Sequence, residues 1–176
     1  MESNLEPGHV IHTLMEEHKM ILGFLDDLEK TNQLIQLQAK VGQDSADIKK
    51  LAHIAEHLVG AEPHHQREEK VLFPELEKRG VFGPTEVMRR EHEELRPKKH
   101  KILELCQTIS KTDANSFKEG LKEASDFLTV VLRDHIAKEN DILYPSALEV
   151  IQEEVVWQNM KKECDKIGYC CFTPKV

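Results

Sequence analysis

Apolar and polar positions alternate with the period of a helix through most of the chain. Ile11, Leu14, Met15, Ile21, Leu22, Leu25 and Leu28 recur every three or four residues. That spacing lays them on one stripe of a helix from about His9 to Leu37. Val41 to Ser45 breaks the pattern, and Asp44 or Ser45 is placed to cap the next helix. The second helix is expected to run to Arg79 and stop at Gly80, a residue suited to the turn past a helix end. Pro84 suits the first turn of a third helix, expected to reach Ser110. Thr112, Asp113 and Asn115 mark another turn, and a fourth helix covers about Ser116 to Ile151. A last helix, about Gln152 to Lys166, leads into Gly168 and an irregular tail.

Four long helices joined by short loops predict an all-α fold, an up-down-up-down four-helix bundle with a short extra C-terminal helix. The 176 residues fit one domain over 1–176, with the bundle over about 9–151 and the last helix and tail over about 152–176. Pro63, Pro74, Pro97 and Pro145 fall inside predicted helices. Each removes a backbone hydrogen bond and should kink or break its helix.

Composition supports helix and removes several function classes. Eight glycines and seven prolines leave long stretches rich in Leu, Glu, Lys and Ile. A net charge of −8, with no basic run carrying interleaved aromatics, argues against general nucleic-acid binding. No apolar span of membrane length appears, so no membrane association is expected. Met1 to Pro7 is acidic and lacks a signal-peptide pattern, which reads as a cytoplasmic chain. Cys106 lies in an apolar stripe and reads as a core residue, while Cys164, Cys170 and Cys171 cluster near the C-terminus. Free thiols in a reducing compartment are the simplest reading of the four; a metal or redox thiol cluster is the other.

The chemistry lies in a pattern that occurs twice. The first copy is His18, then His64 and Glu68, with Leu72, Phe73 and Pro74 downstream. The second is His92, then His135 and Glu139, with Leu143, Tyr144 and Pro145 downstream. A pair four residues apart shares one helix face. Leu14 and Leu22 flank His18, Met88 and Leu95 flank His92, and Ala61, Leu72 and Leu76 lie around His64 and Glu68. Leu128, Val131, Leu132, Ile142 and Leu143 lie around His135 and Glu139. All six polar residues therefore fall on core-directed faces. His65 and Glu69 also stand four apart, but counting back from the prolines matches His64 and Glu68 to His135 and Glu139. His12, His53, His57 and His100 are expected at the surface or behind the site, His57 being nearest in face to His64.

Any one such histidine is most simply a satisfied core residue, and either pair a surface hydrogen bond. Six on core faces, in a repeated order, point to metal, because a buried carboxylate must be paired or metal-bound. Imidazole with carboxylate suits iron, zinc, copper or manganese. Two carboxylates shared by two ions leave two histidines for each. Six donors do not saturate two octahedra, so positions remain for water, O2, peroxide or nitric oxide, unlike a closed structural zinc. Two non-haem irons, oxo- or hydroxo-bridged, fit that count.

The segments from Gly8 to His18, His64 to Pro74, Val87 to Arg96 and His135 to Pro145 resemble the hemerythrin-like HHE cation-binding family over nearly the whole chain. The ending Lys166 to Tyr169 is similar to a subgroup often fused to sensory PAS domains. The resemblance implies a four-helix bundle holding a diiron site on His18, His64, Glu68, His92, His135 and Glu139. Oxygen-carrying hemerythrins use five histidines, with a His-x-x-x-His pair and an Asp ligand, whereas both pairs here are His-x-x-x-Glu. The resemblance therefore implies a protein that binds or senses O2 or nitric oxide. Alternatives are a diiron peroxidase or nitric-oxide-reducing enzyme served by an electron donor, and an iron storage, delivery or signalling module with a protein partner at Cys170 and Cys171.

Overall fold

The structure, a computed structural model, describes residues 5–175. Met1 to Asn4, the greater part of the segment with no signal-peptide pattern, lie outside the described residues. Helix α1 runs over Val10–Leu37, α2 over Ala46–Val59, α3 over Glu62–Arg67 and α4 over Phe73–Glu77. Helix α5 follows at Gly83–Thr108, α6 at Ala114–Lys138, α7 at Tyr144–Val150 and α8 at Glu154–Ile167. No strand occurs among the described residues. No helix among them is long and apolar enough to cross a membrane.

The expected second helix is broken. It stops at Val59, and a new helix begins at Glu62 with Ala61 as its cap and Pro63 in its first turn. Proline is tolerated there because first-turn N–H groups have no partner within the helix. Leu58 and Ala61 continue the apolar stripe across the break, which hides it from the periodicity.

A second departure recurs at both motifs. Between α3 and α4, Glu68–Leu72 form a π-helical turn, and between α6 and α7, Glu139–Leu143 form another. Phe73 N–H reaches back five residues to the Glu68 carbonyl, and Tyr144 N–H does the same to Glu139. Pro74 and Pro145 come next. In α-geometry each ring would collide with the carbonyl four residues back, and each lacks the N–H to bond it. Widening the turn removes the collision, and such turns concentrate at functional sites. Ile142 is 54% exposed, so it does not join Leu143 in the core as the stripe predicts.

The ends follow local chemistry. Ser45 Oγ accepts from Ile48 N–H at the start of α2, and Asp113 Oδ1 accepts from Asn115 and Ser116 N–H at the start of α6. After α4, Val81 N–H bonds the Leu76 carbonyl and Gly80 N–H the Glu77 carbonyl. Gly80 takes φ +84° there, a left-handed turn that favours glycine.

The helices form two compact units. One comprises Ile21–Val59 and Glu93–Asp134. Its interior holds Leu25, Leu28, Leu51, Ile54, Ile102, Phe117, Leu121 and Leu128. Lys50 pairs with Asp27, and Arg133 with Asp26 and Glu29. Cys106 is buried in this unit. The other comprises the described residues of Met1–Met20, Gly60–His92 and His135–Val176. Its core gathers Ile11, Leu14, Leu72, Phe73, Leu76, Met88, Leu143, Ala147, Trp157 and Met160. All six residues of the repeated motif lie in this second unit.

Candidate metal centre

Helix α1 presents His18, α3 presents His64, α5 presents His92 and α6 presents His135, and the two π-turns open with Glu68 and Glu139. All six are buried. His18 Nε2 faces His64 Nε2 at 3.1 Å, and His92 Nε2 faces His135 Nε2 at 3.1 Å. Glu139 reaches both pairs, with Oε2 3.1 Å from His18 Nε2 and Oε1 3.1 Å from His135 Nε2. Glu68 Oε2 lies 3.6 Å from His64 Nε2 and 3.5 Å from His92 Nε2.

The other nitrogen of each ring fixes where its proton sits. His64 Nδ1 donates to Glu17 Oε2 at 2.7 Å and His135 Nδ1 to Glu91 Oε2 at 2.8 Å. His92 Nδ1 donates to Glu69 Oε1 at 2.7 Å and His18 Nδ1 to Asn140 Oδ1 at 2.9 Å. These oxygens only accept, so each neutral ring carries its proton on Nδ1 and directs a lone pair from Nε2. Two pairs of nitrogen lone pairs thus face each other in a buried space. Glu68 Oε2 and both oxygens of Glu139 accept no hydrogen bond there. Unpaired buried acceptors are costly. A cation between them satisfies all of them at once, so the donor set fits metal. Carboxylates behind metal-binding imidazoles are the usual orienting arrangement.

The electrostatics agree. Burial pulls the His64 imidazole down to about 4, against the raising effect of Glu17. Burial alone would raise Glu17, but the His64 hydrogen bond and the Arg67 guanidinium carry it down to about 2. Burial, then the Glu139 charge, push the Glu68 carboxyl well above its usual range. Burial also opposes ionisation of Glu139, but the neighbouring His135 imidazole outweighs it and holds that carboxyl low. Two carboxylates this close do not both ionise readily without positive charge between them.

Several residues around the pocket carry no role in the sequence pattern. Arg67 Nη2 donates to both Glu17 oxygens at 2.6 Å, and Thr173 of the C-terminal tail donates to Glu17 as well. Lys138 pairs with Glu91. Tyr144 donates its phenol proton to Glu68 Oε1 at 2.8 Å and lies 3.4 Å from His18 Nε2. Glu69, set aside as the rejected register, is the acceptor for His92. A signal was present for two of them, since Glu17 and Glu91 each stand immediately before a motif histidine. His12, His53, His57 and His100 belong to no cluster of ligand atoms among the described residues; His57 bonds the His53 carbonyl instead.

A helical bundle whose buried pocket collects imidazoles and carboxylates, each imidazole held by an acceptor behind it, defines a cation-binding protein. The family model described as the hemerythrin HHE cation binding domain matches residues 9–147. The chain belongs to that family, and its all-α bundle is the family's fold. No curated protein sequence matches the chain.

Proposed function

We propose that the pocket holds two iron ions, one at His18 and His64 and one at His92 and His135, with Glu68 and Glu139 shared between them, and that the chain binds or senses O2 or nitric oxide there. The observation that carries this reading is the pair of facing Nε2 contacts at 3.1 Å, with three unbonded carboxylate oxygens beside them. Imidazole and carboxylate donors suit iron. Bound iron supplies coordination positions open to a small molecule and a change of oxidation state on binding it. The protein's part is to orient the four imidazoles through Glu17, Glu69, Glu91 and Asn140, and to shield the pocket from bulk water. The six residues are at most 2% exposed, so only a small ligand fits this reading.

Tyr144 favours a second reading, reduction of peroxide or nitric oxide by an external electron donor. Its buried phenol is a hydrogen-bond donor inside the pocket, and burial followed by the Glu68 charge raises it well above the usual phenol range, so it stays protonated there. Metal analysis with an optical spectrum before and after O2 and nitric oxide tests the main reading. About two irons per chain and a spectrum that responds to either gas are expected from the ligand count. A colourless zinc protein indifferent to both gases would end it. Sustained turnover with a reductant, lost in Tyr144→Phe with iron retained, would move the assignment to the enzyme.

A further inference from the structure

Three residues of the tail beyond α8 converge on the ion pair behind His64. Gly168, at φ +92°, turns the chain back from the helix end. The Tyr169 ring then lies over the Arg67 guanidinium, its centroid 4.7 Å from Cζ. Cys170 Sγ is 3.9 Å from Arg67 Nη2, and the Thr173 hydroxyl donates to Glu17 Oε1. Glu17 accepts from His64 Nδ1 through its other oxygen. Thr173, Glu17 and His64 are thus one hydrogen-bonded line from the tail to an imidazole of the pocket. The repeated motif supplies a comparison: Glu91, the counterpart of Glu17, takes its hydrogen bonds from His135 and Lys138. The rest of the tail packs loosely. From Tyr169 to Lys175, Cys170 alone is buried. A cavity of about 580 Å3 opens beside it, lined by Gly8, Thr13 and Lys161 of the body and by Cys171, Pro174 and Lys175 of the tail. A chain end with so little buried surface stays docked only where it is tied. Its tie to Glu17 holds only while the Glu17 carboxylate keeps its place, and His64 bears on that. In the absence of a cation, the Nε2 lone pairs of His18 and His64 face each other at 3.1 Å and repel. A cation between them replaces repulsion with two bonds, and so fixes the His64 ring and the carboxylate behind it.

We propose that Thr173 is a positioning residue for His64, and that the tail carrying it docks in step with occupancy of the His18–His64 position. The inference rests on the two-metal reading above. Coupling between two equilibria is reciprocal, so an ion there holds the tail down and a docked tail tightens that ion. The ion at His92 and His135 lies outside the link. Occupancy inside the pocket thereby becomes readable at the surface, along Cys171 to Lys175.

The test follows backbone hydrogen exchange by NMR in the full chain, metal-free and loaded with Zn(II). The Thr173 N–H bonds the Cys170 carbonyl and reports docking of the tail. Loading should slow its exchange by about fivefold or more, the low end of usual coupling factors. The Ser45 N–H, in a turn of the other unit, should not change. Thr173→Val keeps the side-chain shape and removes the hydroxyl. It should abolish the metal-dependent slowing at position 173. In chelator competition it should also weaken one of the two Zn(II)-loading steps by about fivefold and leave the other unchanged. Thr173→Ser keeps the hydroxyl and should restore both readouts. Two Zn(II) bound with no slowing at Thr173, or with equal slowing at Ser45, overturns this inference and leaves the two-metal reading standing. So does a Thr173→Val chain with both loading steps unchanged or both weakened alike, or a Thr173→Ser chain that behaves as Thr173→Val does. Fewer than two Zn(II) in the unsubstituted chain overturns both.

Discussion

The two sides of the pocket are built to one plan, and they differ where the plan meets the rest of the chain. Residues 64, 67, 68, 69 and 73 find counterparts at 135, 138, 139, 140 and 144, and residues 17 and 18 at 91 and 92. The first histidine of each copy rests its ring near an aromatic neighbour, His18 on Tyr144 and His92 on Phe73. Each paired histidine is held by the glutamate that precedes the other helix's histidine, and each such glutamate is held by a cation three residues past the paired histidine. On the His64 side that cation is Arg67, 1% exposed and bonded to a Glu17 that is wholly buried. On the His135 side it is Lys138, 28% exposed and bonded to a Glu91 that water reaches. The acceptors behind His18 and His92 differ as well, a neutral amide at Asn140 and a carboxylate at Glu69. The side with the amide thus has the more deeply enclosed ion pair, and the other has two carboxylates nearer water. Equal side-chain types do not make equal halves, because the groups behind an imidazole set its basicity.

The largest effect should come from Glu139, which approaches both sides more closely than Glu68 does. Glu139 stands 3.1 Å from an imidazole of each pair. Glu139→Gln should weaken both metal-loading steps, by about 100-fold or more given that even outer partners of a ligand contribute 10- to 100-fold. His64→Gln and His135→Gln should each weaken one step. Stepwise Fe(II) or Co(II) titration against a chelator reads this directly. If Glu139→Gln lowers only one step, the carboxylate is not shared and the pocket is two separate sites.

Next in size is the contrast between Arg67 and Lys138. Arg67→Ala removes the only cation bonded to the buried Glu17 charge in the described hydrogen bonds and leaves it the His64 and Thr173 donors, a change that costs about 3 kcal/mol in such settings. Lys138→Ala removes a partly exposed pair, at about 1 kcal/mol. Urea unfolding of the metal-free chain measures both. Equal losses would mean that the two outer ion pairs are equivalent despite their different burial. The sign with pH follows from Glu17. Its carboxyl is held at about 2, below its ordinary value of 4.5. The stability it contributes is complete above about 4.5 and is lost as pH falls toward 2.

How far the sequence could reach varies along this plan. The four histidines and two glutamates were legible because helical period alone places them on inward faces, and the repeat with its prolines chose Glu68 over Glu69. The helix ends at Ser45, Gly80 and Asp113 were legible from capping chemistry. The break at Gly60 and Ala61 was not, since the apolar stripe continues across it. The π-turns were half legible: Pro74 and Pro145 announce a lost N–H but do not say that the helix widens instead of kinking. The partners of the imidazoles were hidden for a different reason. Glu17 lies next to His18 in sequence yet bonds His64, and Glu91 lies next to His92 yet bonds His135. Those pairings are made between helices, where periodicity carries no information. The repeated Glu-His step was the one trace of them.

The smallest effect concerns the tail, which touches only one side of the plan. Thr173 donates to Glu17, and Cys170 Sγ lies 3.9 Å from Arg67 Nη2. Nothing equivalent is bonded to Glu91 among the hydrogen bonds of the described residues. Burial pushes the Cys170 thiol up to about 12 and the Cys106 and Cys164 thiols up to about 11, while Cys171 is exposed. The thiolate is the reactive form. A thiol reagent at neutral pH should therefore modify one cysteine of the native chain, Cys171, and the other three only on unfolding, as peptide mapping would show. Lys138→Ala should leave that pattern intact. Arg67→Ala should add Cys170, because its loss frees Glu17 and the tail that leans on it. If Cys170 reacts in the unsubstituted chain, or stays protected in Arg67→Ala, the tail is held by something other than the Glu17–Arg67 pair, and this difference between the two sides disappears.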